Sequence, residues 1–160
     1  MNDLDRTVFN EIISLLDGHE VDYDMVSHEK SVSSQQTAAI TGFDVRNGAK
    51  SILFKTRDGY KLVIVRGDNR ADFKKLRQHF GTNKIRMATP EEVLEVMRVE
   101  VGACYPFGEI AGVEMIVDEM LAESERIHFS PGTHYDHITV NFDDYKKVTQ
   151  PKLIDVVLND

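Results

Sequence analysis

The sequence predicts an α+β fold, a mixed, curved β-sheet with flanking helices, and three observations predict it. Two β-rich runs, Ala49 to Thr56 and Tyr60 to Arg66, flank the turn Arg57-Asp58-Gly59, which is a strong local hairpin signal. Helical stretches with their own start and stop residues are intermixed with the strands, without the regular βαβ alternation of a parallel sheet. No internal repeat, low-complexity tract or linker interrupts the 160 residues, so residues 1–160 are expected to form one domain with room for a sizeable core.

The elements follow in order. Leu4, Val8, Phe9, Ile12, Ile13, Leu15 and Leu16 recur at helical spacing before Gly18, which reads as an amphipathic helix with a glycine stop. Val21 to Val26 alternates like a half-buried strand. Ser33 or Ser34 caps a short helix through Ala38–Ile40, closed by Gly42. After the hairpin, Ala71 to Phe80 reads as a basic helix ending at Gly81. Thr89-Pro90-Glu91-Glu92 combines a capping box with proline at the first helical position, so a helix runs from there to about Arg98. Val101 to Gly108 is neither helical nor strand-like. Gly112–Val117 reads as a strand, Asp118–Ala122 as a short helix and Ile127–Ser130 as a strand. His137–Phe142 alternates again, and Asp143 is placed to cap a last helical segment before Pro151.

Bulk composition narrows the class. Hydrophobic residues at 41% and charged residues at 29% are those of a globular domain. The single cysteine, Cys104, excludes an internal disulfide and an all-cysteine metal site. The polar, acidic start is unlike a secretory signal, and no apolar run approaches the roughly 18 residues of a membrane span, so a cytoplasmic protein with no membrane partner is expected. Net charge is −8, but it is unevenly spread. Residues 46–86 hold 12 of the 19 lysines and arginines against three acids, which makes them +9 and the remainder −17. Such a segment permits a phosphate backbone as partner, and equally suits a solvated face with no ligand.

Several residues are candidates for chemistry. Lys50 opens an otherwise apolar strand, where its ammonium either meets an anion or carbonyl oxygen in a cleft or snorkels to water. Gly102-Ala103-Cys104-Tyr105-Pro106-Phe107-Gly108 combines bare backbone with a rigid turn, so its N–H groups can be presented to a developing oxyanion; as residues alone they also read as a connecting loop. Cys104 is either a thiol nucleophile or a small buried hydrophobe. His134 and His137 invite a metal reading, but on a strand that spacing sends the two rings to opposite faces and no third ligand is evident, so no metal is expected. A histidine that orients a substrate hydroxyl or amine fits better, and His28 after the first strand joins the candidates.

In this order the segments resemble the YbaK/prolyl-tRNA-synthetase-associated editing-domain family, over about residues 5–155. Lys50 in GAKSILFKT looks like the strand-borne lysine of that family, and Gly102 and Pro106 match its Gly-x-x-x-Pro loop. SPGTHYDHITVNF looks like the closing glycine-containing strand, with His137 similar to the histidine of the synthetase insertion domains. The resemblance implies a barrel-like sheet and hydrolysis in trans of a misacylated tRNA, alanine- or cysteine-charged tRNA(Pro) first among them, with no cofactor, metal or covalent nucleophile. It implies that Lys50, Gly102, Pro106 and His137 carry the chemistry. Ala103, Cys104, Tyr105, Phe107, Gly108, Gly132, His134 and His28 would then surround the substrate. Lys50 and the basic 46–86 segment would receive the acceptor end of the tRNA, and an aminoacyl-tRNA synthetase is a further expected partner. The position before the family proline is usually small; here Tyr105 either narrows the pocket or points away from it. Two other classes stay open: a non-catalytic module that binds tRNA or a synthetase, and a metal- or thiol-dependent hydrolase of small esters.

Overall fold

A computed structural model of the chain describes residues 6–159; Leu4 of the expected first helix lies outside them. Helix α1 (Thr7–Gly18) buries Val8, Phe9, Ile12 and Leu16, the face set by their helical spacing. Strand β1 (Tyr23–Ser27) pairs antiparallel with β7 (Asp136–Asn141), and β7 pairs with β6 (Arg126–Phe129), giving a three-stranded sheet in the order β1-β7-β6. The second sheet has five strands in the order β4-β2-β3-β5-β8. Its hairpin is β2 (Ala49–Thr56) against β3 (Gly59–Arg66), with Thr56 opposite Gly59. Gly59 therefore belongs to the strand and the turn is Arg57-Asp58 alone. Its φ of +126° is a conformation that glycine supplies without strain. Short β4 (Ile85–Met87) joins the outer edge of β2, while β5 (Glu114–Asp118) and β8 (Lys152–Ile154) extend the sheet in parallel.

The mixed sheet is as the sequence predicts; closure into a barrel is not found. Closing a sheet needs an unbroken stagger of paired strands. Here the edge strands β4 and β8 are three residues each, and among the described residues only an isolated parallel bridge, Gly48 with His128, links the two sheets. Strand β3 explains why its sequence is apolar without alternation. Leu62 and Ile64 pack into the core shared with α1, β6 and β7, whereas Val63 and Val65 pack on the other face with Phe54, Leu76 and Ile116.

The remaining helices follow their caps. Ser33 accepts from the Gln36 N–H and starts α2 (Ser34–Thr41), which Gly42 closes at φ +79°. Asp72 caps α3 (Phe73–Phe80). The Thr89–Glu92 capping box is formed on both sides and opens α4 (Pro90–Met97). A four-residue helix, α5 (Gly108–Ala111), lies between the Val101–Gly108 stretch and the strand expected from Gly112, where the sequence predicts no element. The last helix, α6 (Phe142–Thr149), starts from Asn141, and Asp143 sits in its first turn, where its charge favours the helix dipole without capping it. No helix among the described residues is long and apolar enough to cross a membrane.

Candidate functional site

Strand β4 pairs only with Phe54–Thr56, so the Ala49–Ile52 stretch of that edge of β2 has no strand beside it among the described residues. A cavity of about 240 Å³ runs along this open edge. Lys50 and Ser51, which point to opposite faces of the strand, both reach it there. Helix α2 supplies another wall through Ser33, Ser34 and Thr37, and Gly102, Cys104, Ser130 and His137 close the rest.

Lys50 donates from Nζ to the Asn69 carbonyl oxygen at 2.7 Å. Burial, with Arg70 nearby, lowers its pKa from the usual lysine value, while Asp68 opposes that shift. An ammonium so held keeps donors for an anion or a carbonyl oxygen.

Gly102 is required twice over. Its φ is +92°, and a Cβ there would sit 2.9 Å from the Val32 carbonyl oxygen. The rest of its loop is anchored inward. Tyr105 donates from its hydroxyl to the Met97 carbonyl at 2.8 Å, and the Pro106 carbonyl accepts from the Tyr145 hydroxyl at 2.8 Å. Phe107 stands edge-on to Phe129 and Tyr145 in the core. Tyr105 thus points away from the cavity, and buried Ala103 is also turned from it. The loop presents its Gly102 backbone and the Cys104 side chain to the cavity; the rest holds the turn rigid. Burial pushes the Cys104 thiol up to about 12, so it stays protonated and is a poor nucleophile.

His137 leaves β7 toward the same space. Its Nδ1 lies 3.1 Å from Nε2 of His28, and its ring centroid lies 5.6 Å from that of His128. Burial, then the neighbouring His128 and His28, pulls its pKa down to about 3, so the imidazole is neutral near pH 7. His128 is also lowered by burial; its Nε2 bonds the Asp44 carbonyl oxygen at 3.0 Å.

The structure therefore brings Lys50, Gly102, Cys104 and His137 to one cavity, with His28 behind His137. Other expected contacts lie elsewhere for identifiable reasons. His134 is buried, bonds the Val101 carbonyl oxygen through Nε2 at 3.0 Å and borders a different depression. Gly132 packs against Val8 and Val99, and Gly108 against Val113 and Met115. Not marked in the sequence are Ser51, whose buried hydroxyl has no hydrogen-bond partner among the described residues, and the hydroxyls of α2 and its cap. Ser51 sits next to Lys50, but nothing in an apolar strand marks a serine as facing a cleft.

Eight of the twelve basic residues of the 46–86 segment fall into two groups. Arg46, Lys61, Arg66, Lys75 and Arg86 are in ion pairs with carboxylates. Arg57, Lys74 and Arg77 instead line an open groove beside Gly81, Thr82 and Asn83, with no carboxylate among the lining residues.

Comparison with known proteins adds an independent line. The model of the aminoacyl-tRNA editing domain family matches residues 28–148. The chain is 28% identical over 148 residues to the multifunctional Ser/Thr-tRNA deacylase ProXp-y of Escherichia coli K12, covering 89% of each. It is 30% identical over 132 residues to the proline–tRNA ligase of Thermosipho melanesiensis, covering 81% of this chain but only 23% of that enzyme. A solved structure described as a candidate trans-editing enzyme for prolyl tRNA synthetase superposes with a TM-score of 0.82 at 23% identity, over 96% of this chain and 98% of that one. At that identity the superposition shows a shared fold.

Proposed function

The chain belongs to the aminoacyl-tRNA editing domain family, and from that premise we propose that it acts in trans to hydrolyse the ester joining a small, wrong amino acid to the 3′ end of a tRNA. The observation that carries the reading is the cavity itself: a tethered ammonium, a bare glycine backbone and a neutral imidazole converge on one small space. In this reading Lys50 meets a phosphate or the ester carbonyl oxygen, where a fixed positive charge stabilises the developing oxyanion. Gly102 lets its loop lie close against Val32 in the cavity wall, where its backbone is open to the terminal ribose. His137 accepts a hydrogen bond from the aminoacyl group or from water. Water, or a hydroxyl of the substrate, is the attacking group, since the Cys104 thiol is held protonated.

A small aminoacyl group suits a size sieve, because a pocket excludes a bulkier residue more readily than it rejects a smaller one. Alanine and cysteine on tRNA(Pro) fit that sieve. The hydroxyls of Ser34 and Ser51 also suit serine and threonine, the amino acids named for the Escherichia coli relative. The Arg57, Lys74 and Arg77 groove offers the tRNA backbone a second contact, and the cytoplasm, where tRNA is charged, is the proposed compartment.

The test is a deacylation panel: tRNA(Pro) charged with alanine, cysteine, serine, threonine or proline, with and without a chelator or a thiol alkylating agent. Hydrolysis of small groups but not of proline, unaffected by either reagent, is the expected result. Retention of tRNA without hydrolysis would point to a binding module. Loss of activity on chelation or alkylation would point to a metal- or thiol-dependent esterase.

A further inference from the structure

The ring contacts behind His137 assign its tautomer. Nδ1 of His28 lies 2.6 Å from the Glu29 carbonyl oxygen, which has no proton to give, so Nδ1 carries the hydrogen and donates. On a neutral ring this leaves Nε2 of His28 with a lone pair, and that lone pair faces Nδ1 of His137 at 3.1 Å. Nδ1 of His137 must then be the donor. A neutral imidazole carries one N–H, so Nε2 of His137 is bare. His128 does not alter the assignment. Its Nε2 donates to the Asp44 carbonyl oxygen, its Nδ1 is buried without a partner, and it touches His137 by ring packing alone.

We propose that His28 is a positioning residue that holds His137 as the Nδ1–H tautomer, so that the Nε2 lone pair is what His137 offers the cavity. The site then accepts from an O–H or N–H of the aminoacyl group or the attacking water, and does not itself donate to the ester carbonyl; that task is left to Lys50. The proposal rests on the deacylase reading for its consequence but not for its geometry. His28 acts through His137, so its own ring need not touch substrate.

Ring-nitrogen NMR on the unmodified protein at pH 7 tests the assignment, with His137→Gln used to identify the signals. The expected spectrum has Nδ1 of His137 protonated and Nε2 unprotonated; the reverse overturns the proposal. His28→Phe removes the acceptor, and the His137 tautomer should become mixed or inverted. Deacylation by that variant should lose at least about tenfold in kcat with KM within about twofold, the size expected for a misdirected proton acceptor. His28→Gln keeps an acceptor oxygen, and its kcat should return to within a few-fold of the parent. A tautomer unmoved in His28→Phe, or a moved tautomer with unchanged kcat, would each overturn it. If the parent protein cleaves no aminoacyl-tRNA, the functional reading fails while the spectrum still decides the tautomer.

Discussion

The Lys50 ammonium is tied to the carbonyl oxygen of Asn69 at 2.7 Å, a bond that reaches from the open edge of β2 to the turn after β3. It fixes a half-buried cation at the mouth of the cavity, so its removal should cost function more than stability. Lys50→Met keeps the aliphatic stem. It should lower kcat/KM for the preferred misacylated tRNA by about 100-fold or more, on the scale of losing one oxyanion donor. Urea unfolding should change by no more than about 1 kcal/mol. Retained activity in that variant would remove Lys50 from the site.

Gly102→Ala and Gly42→Ala form a matched pair. Both glycines have positive φ, +92° and +79°, but only Gly102 has Val32 within 3.0 Å of an added Cβ. Both substitutions should cost about 1–3 kcal/mol of backbone strain. Only Gly102→Ala should also raise KM, because either the loop or Val32 must shift, and both line the cavity. Calorimetric Tm values with parallel deacylation kinetics would separate the two effects.

Cys104→Ser tests the thiol at the cavity wall. With its pKa pushed up to about 12, the thiolate is scarce at pH 7, so the rate should stay within about twofold of the parent. Inactivation well beyond any loss of folded protein would restore the thiol to the mechanism.

Legibility in the sequence tracked the range of the interaction that sets each feature. The Thr89–Glu92 capping box and the β2–β3 hairpin are local, and both formed where the residues predicted. Strands β4 and β8 are three residues long and carry no periodicity of their own; only their neighbours define them. The cavity depended on longer range still. Lys50, Gly102 and His137 were identified through an ordered resemblance, whereas His28 meets His137 across 109 residues of chain, which no local pattern encodes. Sequence proximity places Tyr105, Phe107 and His134 with the site because their neighbours in sequence are expected there. Their side chains turned inward, toward Met97, Phe129 and Val101.

Acid should weaken the fold in a defined window. The His137 pKa is depressed to about 3 in the folded chain, against about 6.5 unfolded. Below pH 6.5 the unfolded chain takes up a proton that the folded one refuses. Stability therefore falls as pH drops from 6.5 toward 3 and is level above 6.5. Between pH 7 and pH 5 this one ring should account for about 1–2 kcal/mol. His128, also lowered by burial, adds a slope of the same sign. His137→Gln should flatten the profile by that amount in urea titrations at the two pH values; an unchanged slope would show that the ring is solvated.

Arg57 and Arg77 should act on the tRNA body, not on the ester. Arg57→Ala with Arg77→Ala should weaken tRNA binding and reduce the slope of log K against log salt by about 1–2, roughly one unit for each phosphate left without its cation. A minimal aminoacyl ester of adenosine should be cleaved as before. An unchanged salt slope would leave that groove without a role in tRNA binding.

The cavity wall draws on α2, the first residues of β2, the Gly102 turn and the far end of the chain at Ser130 and His137. Such a site has high contact order: its lining residues run from Val32 to His137, and closure of that long stretch of chain must precede it. During synthesis the basic groove around Arg57 and Arg77 emerges from the ribosome well before His137 does. The proposed hydrolytic centre is therefore complete only when β7 lies between β1 and β6, after the cationic residues of the groove have already been synthesised.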